Sequence, residues 1–137
     1  MPNTIVVDAG PLIALFKKSD RHHKTALKFL AKSEASALVT NLLVIGEVAH
    51  MLGERLSDLE LCLNWIVDNI DIDTEVNIPR SIEVMKKYRD LPADLADASL
   101  VAMCERLGVN AVASTDADFN VYRLPRGRKF ANVFFDE

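Results

Sequence analysis

Short apolar runs alternate along the chain with longer segments in which apolar residues recur every three or four positions. The short runs are rich in β-branched residues or alanine, which predicts strands. One of them, residues 71–76, alternates polar and apolar side chains and is therefore expected at a sheet edge. We expect strands over residues 4–8, 36–40, 71–76, 111–114 and 131–135.

The longer segments predict helices, several of which begin or end at residues with known helix-end preferences. Pro11 suits the first helical position, and Asn41 and Asp58 can act as N-caps. Pro92 stops one helix, and Gly108 can supply the left-handed residue that closes another. We expect helices over residues 12–16, 22–32, 42–52, 59–70, 78–91 and 94–107.

Strands that alternate with helices predict an α/β fold in which a parallel sheet is covered by helices on both faces. The 137 residues suit one domain, spanning 1–137, that buries about two-thirds of the surface of its extended chain. A composition of 50% hydrophobic and 26% charged residues excludes an intrinsically disordered chain. No apolar run approaches the ~20 residues of a membrane span, so we expect no membrane association.

Two features of the sequence favour a cytoplasmic protein. The N-terminus leads directly into the first strand with no basic segment before it, unlike a secretory signal. Cys62 and Cys104 lie in helical apolar patterns and lack the spacing of metal ligands. We expect both to be buried thiols in a reducing compartment.

Carboxylates stand where strands end or where the helical pattern asks for apolar residues. Asp8 and Asp116 follow two of the predicted strands, and the carboxyl ends of strands are where open α/β sheets build their sites. Glu47 falls on the predicted buried stripe of a helix, and Asp97 lies above apolar residues on its helix, one turn after Asp94. Buried carboxylates need compensating cations. An all-oxygen donor set selects Mg²⁺ or Mn²⁺.

Each of these acids also has a purely structural interpretation. Asp94 and Asp97 follow a proline at a helix start, where acids cap the helix and favour its dipole. Asp8 and Asp116 could serve as turn-forming residues at strand ends. Glu47 has no such role, because the middle of a helix needs no cap. The order strand–Asp, helix–Glu, helix–Asp, strand–Asp favours a shared site over four coincidences.

The segments around these acids resemble the four acidic motifs of PIN-domain ribonucleases. They are Val-Val-Asp-Ala-Gly-Pro-Leu at Asp8, Leu-Val-Ile-Gly-Glu-Val at Glu47, Ala-Asp-Ala-Ser-Leu-Val-Ala at Asp97 and Ser-Thr-Asp-Ala-Asp-Phe at Asp116. The resemblance spans almost the whole chain, and the small size is similar to that of the VapC toxins of bacterial toxin–antitoxin pairs. In this family a Ser or Thr often stands two residues after the first Asp, where this chain has Gly10.

The resemblance implies a three-layer α/β/α fold with a central, mostly parallel sheet. It also implies a Mg²⁺- or Mn²⁺-dependent endoribonuclease in which Asp8, Glu47, Asp97 and Asp116 bind the metal and carry the reaction. A homodimer, an RNA substrate and a small protein antitoxin are implied as well. Two additional acids, Asp94 and Asp118, are candidates for the same site.

The net charge of −4 does not oppose an RNA partner. Setting aside Asp8, Glu47, Asp94, Asp97 and Asp116 leaves 15 acids against 16 bases for the rest of the chain. Six of those bases fall within residues 17–32 with a single acid, which makes that segment a candidate phosphate-binding surface. A second candidate set of RNA contacts is Arg123, Arg126, Arg128 and Lys129.

Two other functions fit the same residues. A phosphoaspartate phosphatase would use the Asp at the end of the first strand as a nucleophile, although Asp8 is followed by Ala9-Gly10 and not by a second Asp in the Asp-x-Asp pattern. A non-catalytic PIN-like scaffold would bind RNA or a partner without cleaving it. For a toxin, we expect the antitoxin to place a helix on the apolar surface of the helices between residues 12 and 52 and a basic tail in the acidic pocket.

Overall fold

The computed structural model describes residues 1–135, which form five β-strands, six α-helices and two short 3₁₀ turns. The last two residues of the predicted 1–137 domain lie outside this range. Within it, no helix is both long and apolar enough to cross a membrane. The elements are β1 (Thr4–Val7), α1 (Ala9–Phe16), α2 (His23–Lys32), β2 (Ala37–Asn41), α3 (Leu42–Leu52), α4 (Leu56–Asn69), β3 (Asp71–Asp73), α5 (Ile78–Lys87), α6 (Leu95–Leu107), β4 (Ala111–Ala113), the turn Ala117–Asn120, the turn Pro125–Gly127 and β5 (Ala131–Asn132).

The sheet has the strand order β3-β2-β1-β4-β5, and every neighbouring pair is parallel. From β1 the chain moves outward through β2 to β3, and it then crosses to β4 and β5 on the other side of β1. Strand order therefore reverses between β1 and β4, where Val7 lies beside Ala113. In open α/β sheets such a reversal opens a crevice at the carboxyl ends of the two strands. The predicted three-layer α/β/α fold with a parallel sheet is confirmed.

The core explains why the strands are continuous apolar runs. Ile5, Val6 and Val7 of the central strand are completely or almost completely buried, because helices cover both sheet faces. Residues 98–104 of α6 are also buried all round, which makes this the innermost helix. The predicted burial of Cys62 and Cys104 is confirmed, and burial raises the pKa of the Cys62 thiol to about 11.

Two predicted helix starts are wrong by two or three residues. Helix α4 begins at Leu56 with Arg55 at the N-cap position, so Asp58 does not cap it. Asp58 lies instead in the first turn, where its charge still favours the helix dipole. Helix α1 begins at Ala9, before Pro11, because Asp8 itself occupies the N-cap position.

Three elements end three or four residues before their predicted ends, and in two of them a local hydrogen bond turns the chain away. Strand β3 ends at Asp73, whose carboxylate accepts from the Glu75 backbone N–H at 3.0 Å. Strand β5 ends at Asn132, whose side chain accepts from the Phe134 N–H at 3.2 Å. Helix α5 stops at Lys87, four residues before the predicted end.

Candidate active site

Asp8 lies where β1 passes into α1, and its carboxylate is held on both sides. Its Oδ1 accepts from the Ala9 N–H at 2.7 Å, and its Oδ2 accepts from the Ser114 hydroxyl at 2.8 Å. The side chain is buried, since the residue is only 6% exposed. Ser114 is a site residue that sequence reasoning missed. Its position in the sequence could have indicated this role, because Ser114 directly follows β4 and stands two residues before Asp116.

Asp116 is connected to Asp8 through the same serine. The Asp116 backbone N–H donates to the Ser114 Oγ at 2.9 Å, and the Asp116 carboxylate accepts from the Asp118 N–H at 2.9 Å. Asp116 thus caps the turn Ala117–Asn120, as the turn interpretation predicted, and also lies at the crevice between β1 and β4. The structural and functional interpretations are compatible for this residue.

Asp94 and Asp97 occupy the start of α6 on the same crevice. Asp94 is the N-cap, and its carboxylate accepts from the Asp97 N–H at 2.8 Å, which confirms the capping interpretation for Asp94. Asp97 is half-buried in the first turn, and its charge interacts with those of Asp8, Asp94 and Asp116. The helix start therefore brings a second pair of acids to Asp8.

Glu47 contributes from α3, but not in the way its position in the sequence predicted. The buried face of this helix is formed by Val44, Val48 and Leu52, so the expectation that Glu47 points with the buried stripe is wrong. Its side chain is largely exposed, at the side of the helix that faces the acids. Partial burial, followed by the charges of Asp8 and Asp94, raises the pKa of Glu47.

The electrostatics of the cluster are those of acids that lack a cation. Burial, and then the charges of Asp8, Asp94 and Asp116, raise the pKa of Asp97 to about 8. Burial also raises the pKa of Asp8, despite the opposing hydrogen bonds from Ala9 and Ser114. Among residues 1–135, no salt bridge joins any of these carboxylates to a basic side chain.

Three buried polar residues hold the elements that carry the acids together. The Thr40 hydroxyl donates to the Val7 carbonyl at 2.7 Å, beside Asp8. Asn41 caps α3, as predicted, by accepting from the Val44 N–H, and its amide donates to the Ser99 hydroxyl at 3.0 Å. This last bond links α3 to α6, and therefore the helix of Glu47 to the helix of Asp97.

The packing at this site explains why position 10 is a glycine. A Cβ at position 10 would lie 2.0 Å from the Thr115 Oγ1, so any side chain there would collide with the threonine. Thr115 follows Ser114 in the loop after β4. Its hydroxyl therefore occupies the space beside α1 that a Ser or Thr at position 10 would fill.

The Tyr122 hydroxyl is the one buried side-chain polar atom in the described residues without a hydrogen-bond partner. Its ring is completely buried and packs at right angles against Phe119. Burial, followed by the charges of Asp97 and the neighbouring acids, raises the pKa of this phenol above its usual range. The hydroxyl thus lies within the field of the acidic cluster and remains protonated.

The predicted RNA-contact residues lie in two different environments. The Arg123 guanidinium donates to the backbone carbonyls of Asn120, Val121 and Tyr122 at 2.7–3.1 Å. These hydrogen bonds occupy the guanidinium in closing the turn. Arg126 and Arg128 are exposed and line a cavity of about 220 Å³ beside Gly108, which ends α6. Gly108 and Asp97 lie near opposite ends of that helix, about 15–20 Å apart along its axis, so the cavity with these two arginines lies at the end of α6 away from Asp97.

The donor set fits Mg²⁺ or Mn²⁺, although it is not a preformed cage. Within the described part of the chain, no group of three or more His, Cys, Asp or Glu residues is arranged to hold a metal ion. Magnesium, however, is commonly bound through one or two carboxylates and several waters. An oxygen-only, mutually repelling and cation-free group of acids around buried Asp8 matches that requirement.

Comparisons with known proteins agree with this architecture. Ribonuclease VapC26 of Mycobacterium tuberculosis (strain ATCC 25618 / H37Rv) is 24% identical over 138 residues, covering 94% of this chain and 99% of that protein. The crystal structure of Mycobacterium tuberculosis VapC20, a Sarcin-Ricin loop cleaving toxin, matches with a TM-score of 0.73 at 20% identity, over 85% of this chain and 93% of that one. PAE2754 from Pyrobaculum aerophilum matches with a TM-score of 0.63 at 16% identity, over 86% and 78%. A family model described as PIN domain matches residues 5–124, and the chain therefore belongs to the PIN domain family.

Proposed function

We propose that this protein is a divalent-metal-dependent endoribonuclease and the toxin of a toxin–antitoxin pair. The observation that carries the proposal is the group of acids at the β1–β4 crevice, which has no cation among the described residues. The similarity to a ribonuclease, VapC26, and to the fold of an RNA-cleaving toxin, VapC20, supports the same function. A protein that only bound RNA would gain nothing from this concentration of negative charge.

The proposed role of each acid follows from its burial and its hydrogen bonds. Asp8, Asp97 and Asp116 would hold Mg²⁺ or Mn²⁺, and the two hydrogen bonds on Asp8 fix the orientation of its carboxylate. A bound ion would supply two things here, a lowered pKa of water and a positive charge that offsets that of the phosphodiester. Glu47, which is exposed and has a raised pKa, accepts the proton of the attacking water at its carboxylate.

Water as the nucleophile makes the ribose 2′-hydroxyl unnecessary for the reaction. A test therefore starts by incubating the protein with Mn²⁺ and three RNAs: total bacterial RNA, a tRNA pool and a sarcin–ricin loop oligonucleotide. Cleavage positions are mapped by primer extension. An RNA with a single 2′-deoxynucleotide at the mapped position should still be cut.

The alternatives predict different results in the same assay. A phosphatase would hydrolyse p-nitrophenyl phosphate and leave RNA intact, and a scaffold would bind RNA without cutting it. The proposed ribonuclease should lose activity in EDTA and recover it when excess Mn²⁺ or Mg²⁺ is added. RNA cleavage that persists in EDTA would contradict the proposal.

The second basic cluster, Arg126 and Arg128, remains a predicted RNA contact. Reversing both to Glu should weaken RNA binding and reduce the slope of log affinity against log salt by about 0.7 for each lost contact with single-stranded RNA. An unchanged affinity and slope would mean that this exposed turn does not touch the substrate.

The proposed antitoxin has a candidate docking groove in the structure. Between α2 and α4, Leu27, Leu30, Leu38 and Trp65 line a cavity of about 420 Å³. An apolar helix face would cover this groove, and an Arg or Lys in the following segment would pair with the acids and displace the metal. Co-expression with the product of the adjacent small gene should give copurification and loss of RNase activity. An active complex would contradict the plugging mechanism.

The remaining proposals are a homodimer and a cytoplasmic location. Light scattering on the purified protein tests the first, with twice the chain mass of 15.2 kDa as the expected result. A fluorescent-protein fusion tests the second and should distribute evenly through the cell interior.

A further inference from the structure

A cavity of about 800 Å³ opens beside the acidic site, on the side of the edge strand β5. The loop after β4 contributes Thr115 and Asp116 to its wall, so it is continuous with the candidate active site. The segment that leads into α2 contributes Arg21 and His22, and β5 with its flanking residues forms the floor. Of its lining residues, Asp116 is a proposed metal ligand and Arg21 belongs to the candidate phosphate-binding segment 17–32.

One wall of the cavity carries positive charge close to the acids. The Arg21 Nε donates to the His22 Nε2 at 3.1 Å, which holds the guanidinium beside the imidazole ring. Arg21 is exposed, and among the described residues it has no acidic partner. A guanidinium next to a phosphodiester-cleaving site is placed to bind a phosphate that flanks the cleaved one.

The cavity also presents aromatic rings that are held in place by other rings. Phe135 is 39% exposed, and its ring packs edge-on against His22 at 5.4 Å and against buried Phe134 at 5.0 Å between centroids. Phe130 is also partly exposed and rests on Phe119 at 5.4 Å. Exposed aromatic faces that are fixed before binding are the surfaces on which single-stranded bases stack.

We propose that this cavity is a subsite for a nucleotide of single-stranded RNA adjacent to the cleaved bond, with its phosphate on Arg21 and its base stacked on Phe135. The inference deepens the proposed ribonuclease function and rests on it for the identity of the polymer. The subsite predicts a preference for unpaired RNA on this side of the site, because a stacked base pair has no free face to offer the ring.

Binding measured without cleavage tests the subsite independently of the ribonuclease proposal. The probe is a fluorescein-labelled, eight-nucleotide single-stranded RNA of mixed sequence, titrated by fluorescence anisotropy with the full chain carrying Asp8→Asn. In that background, Phe135→Leu keeps the apolar bulk but removes the ring face, and we expect about tenfold weaker binding. Phe135→Trp keeps a ring face and should restore the affinity. RNA should also quench its added indole fluorescence.

The two halves of the subsite have different salt signatures. Arg21→Gln should weaken binding about fivefold to tenfold and lower the salt slope by about 0.7. Phe135→Leu should leave the slope unchanged, since it removes no charge. Arg55→Gln is the matched control, because it removes an exposed arginine at the N-cap position of α4 that none of the proposals above places on RNA, and it should leave both the affinity and the slope unchanged.

Two outcomes would overturn the subsite. One is wild-type affinity in both Phe135→Leu and Arg21→Gln with an unchanged melting temperature. The other is equal loss in Arg21→Gln and Arg55→Gln with no effect at Phe135, which would mean diffuse electrostatic binding. If no RNA is cut in the earlier assay but these variants behave as expected, the ribonuclease proposal fails while the subsite stands.

Discussion

Acids on the flank formed by α5 and α6 lie in a different electrostatic environment from acids in the crevice at β1 and β4. On the flank, the Arg80 Nε and Nη2 donate to the two Glu105 carboxylate oxygens at 2.9 and 2.8 Å, and Arg106 pairs with Asp73. In the crevice, Asp8 is buried and Asp97 is half-buried, as Glu105 and Asp73 are, but neither has an arginine or lysine partner among the described residues.

The difference shows that the chain does not lack cations for its carboxylates but directs them elsewhere. A partnered acid on the flank stabilises the fold modestly, by about 1 kcal/mol for a surface pair. Unpartnered acids in the crevice destabilise the metal-free protein, because burial and mutual repulsion both oppose their charges. In its ionised form such a cluster is stabilised by an external cation, so the proposed metal site and the stability of the metal-free fold oppose each other.

The largest expected effect comes from removing one crevice charge. Asp97→Asn should reduce RNA cleavage by at least about 100-fold, since it removes a carboxylate that we propose to hold the metal. The same change should raise the free energy of unfolding of the metal-free protein by about 1–2 kcal/mol, because it relieves repulsion. Glu105→Gln is the matched change on the flank. It should keep the activity and lower the stability by about 1 kcal/mol.

These two variants are compared by RNase assay and by urea unfolding in EDTA. Asp8→Asn should behave like Asp97→Asn, although the loss of the Ser114 hydrogen bond to a full carboxylate makes its stability gain smaller. Normal cleavage by either crevice variant would remove that residue from the assignment.

The second effect is stabilisation by divalent ions in one region only. At a Mn²⁺ concentration about 100 times the dissociation constant, binding should add about 2.7 kcal/mol to the stability of the wild-type protein. Glu105→Gln should retain this gain, and Asp97→Asn should lose most of it. Thermal unfolding with and without Mn²⁺ measures the effect. Equal gains in all three proteins would place the ion outside the crevice.

The third effect is a pH dependence of protein stability that arises from the acids of the crevice. The pKa of Asp97 is raised from its ordinary value of 3.8 to about 8 in the folded protein. At a pH between these two values, the carboxyl group is protonated in the native state and ionised in the unfolded state. The stability of the metal-free protein should therefore fall as the pH rises from about 4 to about 8.

Urea unfolding in EDTA at pH 5 and pH 8 measures this dependence. Asp97→Asn should flatten it, whereas Asp68→Asn, which changes an exposed acid on α4, should preserve it. Stability that rises with pH over this range in the wild-type protein would contradict the prediction.

The smallest expected effect is a difference in stability between removing the hydroxyl of Tyr122, beside the crevice, and that of Tyr88, on the flank. The Tyr122 hydroxyl is buried and has no partner, so Tyr122→Phe should be neutral or stabilising by up to about 1 kcal/mol in EDTA. Tyr88, at the end of α5, accepts from the Arg123 N–H at 2.9 Å, so Tyr88→Phe should cost about 1 kcal/mol. Their rings pack against each other, at 5.0 Å between centroids, which makes them matched substitutions. A larger loss at Tyr122 than at Tyr88 would contradict the comparison.

The sequence by itself determined the element types, the parallel sheet and the four acidic positions. These features are local: apolar periodicity reports which face of an element is buried, and a carboxylate at a strand end is visible without knowing its neighbours. Asn41 as a cap and the burial of Cys62 and Cys104 were predictable for the same reason. Element ends were less predictable, because single hydrogen bonds such as those of Asp73 and Asn132 decide them.

Only the tertiary structure decided how the acids are connected and which cations lie near them. The bond from Ser114 to Asp8 spans 106 residues of sequence, and the bond from Asn41 to Ser99 spans 58. The exposure of Glu47 was missed because periodicity locates a helix face only roughly, and neighbouring elements determine what covers it. Arg21 and Arg126 look equivalent in the sequence, but chain crossings bring one to the acids and leave the other at the far end of α6. Such proximity depends on long-range packing, which no local pattern of residues records.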